Sequence, residues 1–244
     1  MMRLVGRRIL ITGAASGLGA AIATRFAGEG AHLALLDRDE KGAAAKAEEL
    51  AAFAVGADVA DLGATENAAQ RAAQAMGGID GIVNAAGILY YRAFEMTEIS
   101  HWQQTIATNL TGPWNVCWAA LPYLRKNFGA TIINIASGLG LRPAPHYAAY
   151  AASKGGLIAL TKALAVELAP AIRVNALCPG AVETPMTAPL LGDPALRAQA
   201  AANYPLARLG EPDEIADAAL FLTGPDSTFI TGIAMPVDGG RALH

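Results

Sequence analysis

The sequence predicts one α/β domain: a doubly wound, parallel sheet of seven strands with helices on both of its faces. Short apolar runs alternate with helical patterns from residues 9–12 to residues 233–237. No Pro/Gly/Ser-rich linker and no run of like charges interrupts the 244 residues. Because a strand, a crossover helix and a further strand join in a right-handed sense, this alternation gives a parallel sheet covered on both sides.

Composition excludes several classes of protein. Hydrophobic residues make up 53% of the chain and charged residues 16%, which suits a large core and excludes a disordered chain. The net charge of −3, without a basic cluster, predicts no nucleic-acid partner. No apolar run reaches membrane-spanning length. Cys117 and Cys178 lie far apart, as free thiols of a cytoplasmic protein do, and the four histidines lack metal-ligand spacing, so we expect no metal.

A glycine-rich turn joins the first strand to the first helix. The apolar run 9–12 leads into Gly-Ala-Ala-Ser-Gly-Leu-Gly at 13–19, and a helical pattern follows over 20–30. Glycines let the backbone approach a ligand, and the helix N-terminus offers free N–H groups to a pyrophosphate. A ligand-free turn is the alternative. The predicted dinucleotide contacts are Gly13, Ser16, Gly17, Leu18 and Gly19.

The second strand, residues 31–36, ends at Asp37. A carboxylate there accepts hydrogen bonds from the ribose hydroxyls and repels a 2′-phosphate, which favours NAD over NADP. Arg38 argues the other way, because a guanidinium binds phosphate. An Asp in this place is also an ordinary turn former.

The third and fourth strands contribute further contacts at the same edge of the sheet. A weak third strand over 54–59 places Asp58 and Val59 near an adenine. The fourth strand, 81–84, runs into Asn-Ala-Ala-Gly, where small residues let a flat ligand lie against the backbone. From this turn we assign Asn84, Ala85 and Gly87 to the cofactor site.

The second half carries the candidate chemistry. A long helix over 98–127 contains Pro113, which should disturb the hydrogen bonding near Asn109 and make its polar side chain a water anchor. The fifth strand, 130–136, ends at Ser137, which therefore faces the crevice. Residues 139–147 are predicted as a loop, and residues 173–177 and 233–237 as the sixth and seventh strands.

Tyr150 and Lys154 form a candidate proton donor and acceptor. A spacing of four on a helix places the phenol and the ammonium one turn apart on one face. A neighbouring cation favours the phenolate, so we expect the pKa of Tyr150 to fall below its usual value near 10. Alone, such a pair is more often a solvated helix face.

Together these residues resemble the motifs of the short-chain dehydrogenase/reductase family. The matches are Thr-Gly-x-x-x-Gly-x-Gly at 12–19, Asn-Ala-Ala-Gly at 84–87, Asn109, Ser137, Tyr-x-x-x-Lys at 150–154, Pro-Gly at 179–180 and Thr184. The resemblance covers almost the whole chain and implies a Rossmann-fold, NAD(H)-dependent oxidoreductase that interconverts a secondary alcohol and a ketone.

The resemblance also implies a role for each matched residue. Tyr150 is the general acid/base, Ser137 binds the substrate oxygen, Lys154 holds the nicotinamide ribose and lowers the Tyr150 pKa, and Asn109 anchors a water. The remaining cofactor contacts that it implies, near the nicotinamide, are Pro179, Gly180, Val182 and Thr184.

The two parts of this domain are expected to differ in function. Residues 1–95 mainly bind the dinucleotide, whereas residues 96–244 carry catalysis, oligomer contacts and an irregular, mobile lid over 185–205. We expect a small or medium secondary alcohol or its ketone as substrate. The predicted pocket residues are Leu139, Arg142, His146, Tyr147, Met186 and Leu190, with Leu89 and Tyr90 beside them. Arg142 or His146 offers a carboxylate contact.

Two alternatives remain open. One is an NADPH-dependent 3-oxoacyl-[acyl-carrier-protein] reductase, which would use the same catalytic residues. The other is a dinucleotide-binding protein without catalysis. Apolar helices over 102–124 and 157–168 exceed what one sheet face needs, and in the resembling family such helices pair between subunits, so we expect a homotetramer.

Overall fold

In the computed structural model, which describes residues 2–243, seven parallel strands form one sheet in the order β3-β2-β1-β4-β5-β6-β7. The strands are β1 Arg8–Thr12, β2 His32–Asp37, β3 Phe53–Gly56, β4 Gly81–Asn84, β5 Ala130–Ile135, β6 Ile172–Pro179 and β7 Ala234–Val237. The predicted fold class and strand number are confirmed.

Ten α-helices connect the strands in the described part of the chain. They are α1 Gly17–Gly28, α2 Glu40–Leu50, α3 Leu62–Met76, α4 Ile99–Ile106, α5 Gly112–Leu124, α6 Gly138–Leu141, α7 Ala148–Leu168, α8 Ala188–Leu191, α9 Pro194–Ala202 and α10 Pro212–Thr223. None of them is long and apolar enough to cross a membrane.

Alternating strand residues supply the two sides of the core. On β1, Ile9 and Ile11 are buried against a cluster that includes α1, α2 and α10. Leu10 lies between them in sequence and is buried in the opposite cluster, with α3, α5 and α7. Because side chains of a strand point to opposite faces in turn, both faces of a parallel strand must be apolar, and this explains the unbroken hydrophobic runs of the sequence.

The functional edge is positioned by the switch point between β1 and β4. From β1 the chain moves outward to β2 and β3, and it then returns to β4 on the other side of β1. The Thr12 hydroxyl accepts hydrogen bonds from the backbone N–H groups of Ala85 and Ala86, both at 3.1 Å. This contact joins the turns that follow β1 and β4, and it opens a crevice beyond the carboxyl ends of the strands.

The predicted irregularity near Asn109 is confirmed. The chain is helical from α4 into α5, but residues Ala107–Thr111 form a π-helical turn between them. Pro113 lacks an N–H group, so regular α-helical bonding cannot continue through this turn.

Three boundaries of the sequence prediction are wrong. Residues 138–141 form helix α6, capped by the Ser137 hydroxyl, where a loop was expected. The stretch 185–205 contains α8 and α9 rather than irregular chain, because Asp193 caps α9 and Pro194 fits its first turn. The third strand ends at Gly56, so Asp58 and Val59 follow the strand.

Candidate active site and dinucleotide cleft

A cleft of about 350 Å³ lies at the carboxyl edge of the sheet. Residues from both halves of the chain line it, including 16 of the 17 residues predicted to bind the cofactor: Gly13, Ser16, Gly17, Leu18, Gly19, Asp37, Asp58, Val59, Ala85, Gly87, Tyr150, Lys154, Pro179, Gly180, Val182 and Thr184. Ser137 lines it as well. Lining residues that the sequence did not predict are mostly their neighbours: Ala15, Leu36, Ala86, Ile88, Thr108, Ile135 and Thr187.

The glycine turn leaves room for a ligand against the backbone. Gly13 has a left-handed φ of +67°, and a Cβ atom there would lie 2.7 Å from the Ala86 Cα. A Cβ on Gly19 would overlap the Gly13 carbonyl oxygen. Any side chain at either position would therefore disrupt the turn that places the N-terminus of α1 at the cleft. This geometry fits the pyrophosphate of a dinucleotide, because free helical N–H groups and the helix dipole favour a bound anion.

Backbone groups fix the carboxylate of Asp37 in place. One of its oxygens accepts a hydrogen bond from the Ala15 N–H at 3.0 Å, and the other accepts one from the Asp39 N–H at 3.0 Å. Each oxygen keeps capacity to accept a further hydrogen bond, and Asp37 lines the cleft. Arg38 also lines the cleft, and it forms no ion pair within residues 2–243.

The contact of Asn84 with the cofactor stays a prediction, and Asn84 is the one predicted cofactor residue that does not line the cleft. Its side chain is only 2% exposed and lies beneath the cleft, inside the sheet. The Asn84 amide nitrogen donates to the Asn134 Oδ1 atom at 2.8 Å. A strand residue alternates between faces, and Asn84 points into the core while Ala85 and Gly87 beyond it border the cleft.

Ser137, Tyr150 and Lys154 meet at one end of the cleft. Ser137 follows shortly after the last residue of β5, and its hydroxyl accepts from the Leu139 N–H at 3.1 Å. Tyr150 and Lys154 lie in the first two turns of α7, with the Lys154 Nζ atom 5.7 Å from the centre of the Tyr150 ring. The Lys154 ammonium donates to the Ile135 carbonyl oxygen at 2.7 Å. The three residues that the sequence predicts to act together thus line the same cleft.

The predicted fall in the Tyr150 pKa is wrong for the protein alone. Burial raises the pKa of Tyr150 to about 12; hydrogen bonding by Ser137 opposes this rise, and Tyr147 adds to it. Burial also lowers the pKa of Lys154 to about 8. Sequence spacing showed that the cation is near the phenol, but it did not show that both groups are buried, and burial disfavours both charges.

The side chain of Asn109 joins two elements of the site without lining the cleft. It accepts from the Ile88 N–H at 2.8 Å, and its amide donates to the Ile88 carbonyl at 2.9 Å and to the Ser153 hydroxyl at 3.2 Å. Ser153 in turn donates to the Tyr150 carbonyl at 2.7 Å. Asn109 thus ties the turn after β4 to α7, and its role in holding a water stays a prediction.

Of the predicted substrate residues, Met186 alone lines the cleft. Tyr147 and His146 belong to an aromatic group beside it, with ring centres 5.0 Å and 5.2 Å from that of Tyr91, which the sequence did not predict. Arg142 donates to the Arg241 carbonyl at 3.1 Å, so part of its guanidinium binds backbone rather than a ligand. The other residues outside the cleft lining are Leu139, Leu190, Leu89 and Tyr90.

No group of three or more His, Cys, Asp or Glu side chains within residues 2–243 is arranged to hold a metal ion. The groups that line the cleft include the Tyr150 phenol, the Ser137 hydroxyl and the Lys154 ammonium. A switch-point cleft with a glycine turn and this trio defines an oxidoreductase that uses a nicotinamide dinucleotide.

Comparison with known proteins defines the family. A family model described as enoyl-(acyl carrier protein) reductase matches residues 13–242. The 2,5-dichloro-2,5-cyclohexadiene-1,4-diol dehydrogenase of Sphingobium indicum is 39% identical, over 99% of this chain and 98% of that protein. The 3β-hydroxysteroid dehydrogenase 1 of Eggerthella lenta is also 39% identical, over 99% of this chain and 95% of the relative.

A solved structure agrees with these relatives. The crystal structure of a 3-ketoacyl-(acyl-carrier-protein) reductase from Brucella melitensis, complexed with NADH, superposes with a TM-score of 0.93 and 39% identity, covering 98% of this chain and 99% of that one. The chain belongs to the short-chain dehydrogenase/reductase family, and it is an oxidoreductase that acts on CH–OH groups.

The buried ammonium of Lys154 predicts how stability depends on pH. Burial lowers the Lys154 pKa from 10.5 to about 8, so between these values the unfolded chain binds more protons than the folded chain. The contribution of Lys154 to stability therefore rises with pH across this window. Between pH 7 and pH 9.5, wild type should gain about 2 kcal/mol in unfolding free energy relative to Lys154→Met.

Urea unfolding of both proteins at the two pH values measures this difference. Lys162→Met is the matched control, because Lys162 lies on the exposed side of the same helix. We expect its difference from wild type to be independent of pH. Equal pH dependence of wild type and Lys154→Met would contradict a buried, destabilised charge.

Proposed function

We propose that this enzyme is a dehydrogenase of cyclic secondary alcohols that prefers NAD(H) over NADP(H). The observation that carries the cofactor preference is the Asp37 carboxylate, which the Ala15 and Asp39 N–H groups fix at the ribose end of the cleft. A fixed carboxylate there accepts hydrogen bonds from both ribose hydroxyls and repels the 2′-phosphate of NADP. Arg38, the neighbouring cation, lines the same cleft.

Tyr150, Ser137 and Lys154 have different roles in the reaction. The bound nicotinamide supplies the hydride acceptor or donor. The Tyr150 phenolate takes the proton of the alcohol during oxidation, and the resulting phenol returns it during reduction. The Ser137 hydroxyl donates a hydrogen bond to the substrate oxygen and stabilises the charge that develops on it. The Lys154 ammonium stabilises the phenolate of Tyr150 and offers donors to the ribose.

Aromatic side chains support a ring-shaped substrate. Tyr91, His146 and Tyr147 form an aromatic group, in which Tyr147 is near enough to Tyr150 to raise its pKa, and Met186 adds an apolar surface within the cleft. Their flat faces suit the apolar side of an alicyclic or aromatic ring. The names of two relatives specify a cyclohexadiene diol and a 3β-hydroxysteroid, which are both cyclic alcohols.

The cofactor preference is tested by Asp37→Ala. Loss of the carboxylate removes two hydrogen bonds to the ribose and the repulsion of the 2′-phosphate. We expect KM for NAD to rise about tenfold and the ratio of kcat/KM for NAD to that for NADP to fall about a hundredfold. Steady-state rates with both cofactors measure the ratio.

The control for this change is Asp61→Ala. Asp61 caps α3 by accepting from the Ala64 N–H at 2.9 Å, and it lies outside the cleft lining. The control should lose stability and keep the cofactor ratio. An unchanged ratio in Asp37→Ala would refute the ribose contact.

The reaction and substrate class are tested by initial rates with cyclic and open-chain secondary alcohols, sugars and hydroxy acids, each with NAD and NADP. Cyclic alcohols with NAD should give the highest rates.

Tyr150→Phe should lower kcat about a thousandfold and change the NADH dissociation constant less than about threefold, because only the proton-transfer group is removed. Tyr147→Phe, which removes a neighbouring phenol, should keep the chemical step. Full activity of Tyr150→Phe would refute the acid/base role.

A second candidate is the 3-oxoacyl-[acyl-carrier-protein] reductase reaction with NADPH. It is favoured by the Brucella melitensis structure, which is named for that activity, although its complex contains NADH. Among the cleft residues described above, Arg38 is the one that argues for NADPH. Faster reduction of a 3-oxoacyl thioester with NADPH than oxidation of any alcohol with NAD would favour this candidate.

A non-catalytic dinucleotide-binding protein is opposed by the intact Ser137, Tyr150 and Lys154 trio.

We further propose a homotetramer built on α5 and α7. The outer faces of these helices expose large apolar side chains, with Trp114 and Trp118 on α5 half exposed and Val166 on α7 84% exposed. Exposed apolar surface of this kind is typical of subunit contacts. Light scattering should give about four times the mass of 25.0 kDa, and a monomeric mass would contradict the proposal.

The free, buried Cys117 and Cys178 support a cytoplasmic location.

A further inference from the structure

A row of buried polar side chains crosses from the sheet into α7. The Asn84 amide donates to the Asn134 Oδ1 atom at 2.8 Å, and the Asn134 amide donates to the Thr161 hydroxyl at 2.9 Å. The Thr161 hydroxyl then donates to the Leu157 carbonyl at 2.8 Å. Asn134 and Thr161 are completely buried. The row therefore contains directional bonds in the middle of an apolar layer.

Folding stability does not account for this row. Replacing both partners of a buried hydrogen bond with apolar groups of similar shape is often neutral for folding. In addition, the Asn84 Oδ1 atom finds no donor within residues 2–243, which makes the row costly to bury. Such a row restricts the relative positions of its members more than it lowers the folding free energy.

A second polar contact ties the same two elements together one residue further along β5. The Lys154 ammonium donates to the carbonyl of Ile135, the neighbour of Asn134. Lys154 and Thr161 are seven residues apart on α7, so they lie on the same face two turns apart. Two adjacent residues of β5 thus bind α7 at two points that are two helical turns apart. These two contacts fix the position of α7 along β5 and the rotation of the helix about its own axis.

The elements joined in this way carry the reacting groups. Ser137 lies just beyond the end of β5, and Tyr150 lies in the first turn of α7. A shift of α7 along β5 would change the distance between the Ser137 hydroxyl and the Tyr150 phenol. Proton transfer is sensitive to such shifts, because a misplacement of about 1 Å can cost two orders of magnitude in rate.

We propose that Asn134 and Thr161 are positioning residues, which set the register of α7 on β5 and so align Tyr150 with Ser137. The proposal rests on the alcohol–ketone reaction of the proposed function and does not depend on the preference for NAD or on the identity of the alcohol. Neither side chain lines the cleft. Their effect on turnover therefore passes through the position of Tyr150.

Thr161→Val tests the proposal, because valine keeps the shape of threonine and removes only the hydroxyl. We expect kcat for the best alcohol to fall about tenfold, while KM for NAD and the dissociation constant of NADH change less than about twofold. The pH midpoint of kcat should move upward, since Ser137 holds the Tyr150 pKa down. Thr161→Ser, which retains the hydroxyl, should restore both kcat and the midpoint.

Thr105→Val is the matched control. The buried Thr105 hydroxyl donates to the His101 carbonyl four residues earlier at 2.7 Å, as Thr161 does to Leu157, but among the described residues it has no bond to the sheet. This variant should lose less stability than Thr161→Val, because it leaves no buried side-chain donor unpaired, and it should keep the kcat and pH profile of wild type. An equal loss of kcat in Thr105→Val and Thr161→Val would show a general structural effect and overturn the proposal.

Hydrogen exchange followed by mass spectrometry gives a readout that needs no substrate. In Thr161→Val, exchange should accelerate in peptides from α7, and in Thr105→Val it should accelerate only in α4. Asn134→Ser, whose shorter side chain does not reach Thr161, repeats the test from the other partner if the valine variant folds poorly. Unchanged α7 exchange and unchanged kcat in folded Thr161→Val or Asn134→Ser would refute the positioning role. Altered α7 exchange in a protein that oxidises no alcohol would instead count against the proposed reaction alone.

Discussion

The hydrogen bond from the Lys154 ammonium to the Ile135 carbonyl, at 2.7 Å, connects the chemistry of the site to the core of the fold. A buried cation is unfavourable unless polar groups surround it, and here the end of a central strand supplies the acceptor. The carbonyl belongs to Ile135, the last residue of β5. The position of the Lys154 ammonium therefore depends on the end of a strand as well as on the helix that carries it.

The same principle explains how the cleft is assembled from distant parts of the sequence. Strand β1 leaves the sheet at Thr12, whose hydroxyl binds the backbone after β4, and the Gly13 turn packs against Ala86 at a distance that excludes a side chain. Each of these contacts at the switch point lies between backbone and backbone or involves a short side chain. A flat ligand can approach the sheet edge closely because the side chains that border it in these turns are small.

Sequence reasoning predicted the sheet, the strand number and nearly all of the residues around the cleft, since these follow from periodicity, glycine placement and the carboxyl-edge rule. Sequence reasoning did not show that the Asn84 side chain points into the core, because the next residues of its motif border the cleft. It failed for the Tyr150 pKa because spacing along a helix measures proximity and not burial. Tyr91 was missed because its contact with Tyr147 joins residues 56 positions apart, and no local pattern reports such a pair.

The sequence predicted the substrate side of the cleft less well than the cofactor side, and this difference has a physical cause. Helices α8 and α9 contribute no buried residue to the core. Their sequences therefore lack the hydrophobic periodicity from which a helix can be predicted. An ion pair between Arg197 of α9 and Glu183 links the segment to the loop that follows β6. Exposed ion pairs contribute little free energy, so this pair adds little to what holds the segment in place. Sequence changes in α8 and α9 would thus leave undisturbed the buried contacts that hold α7 against β5.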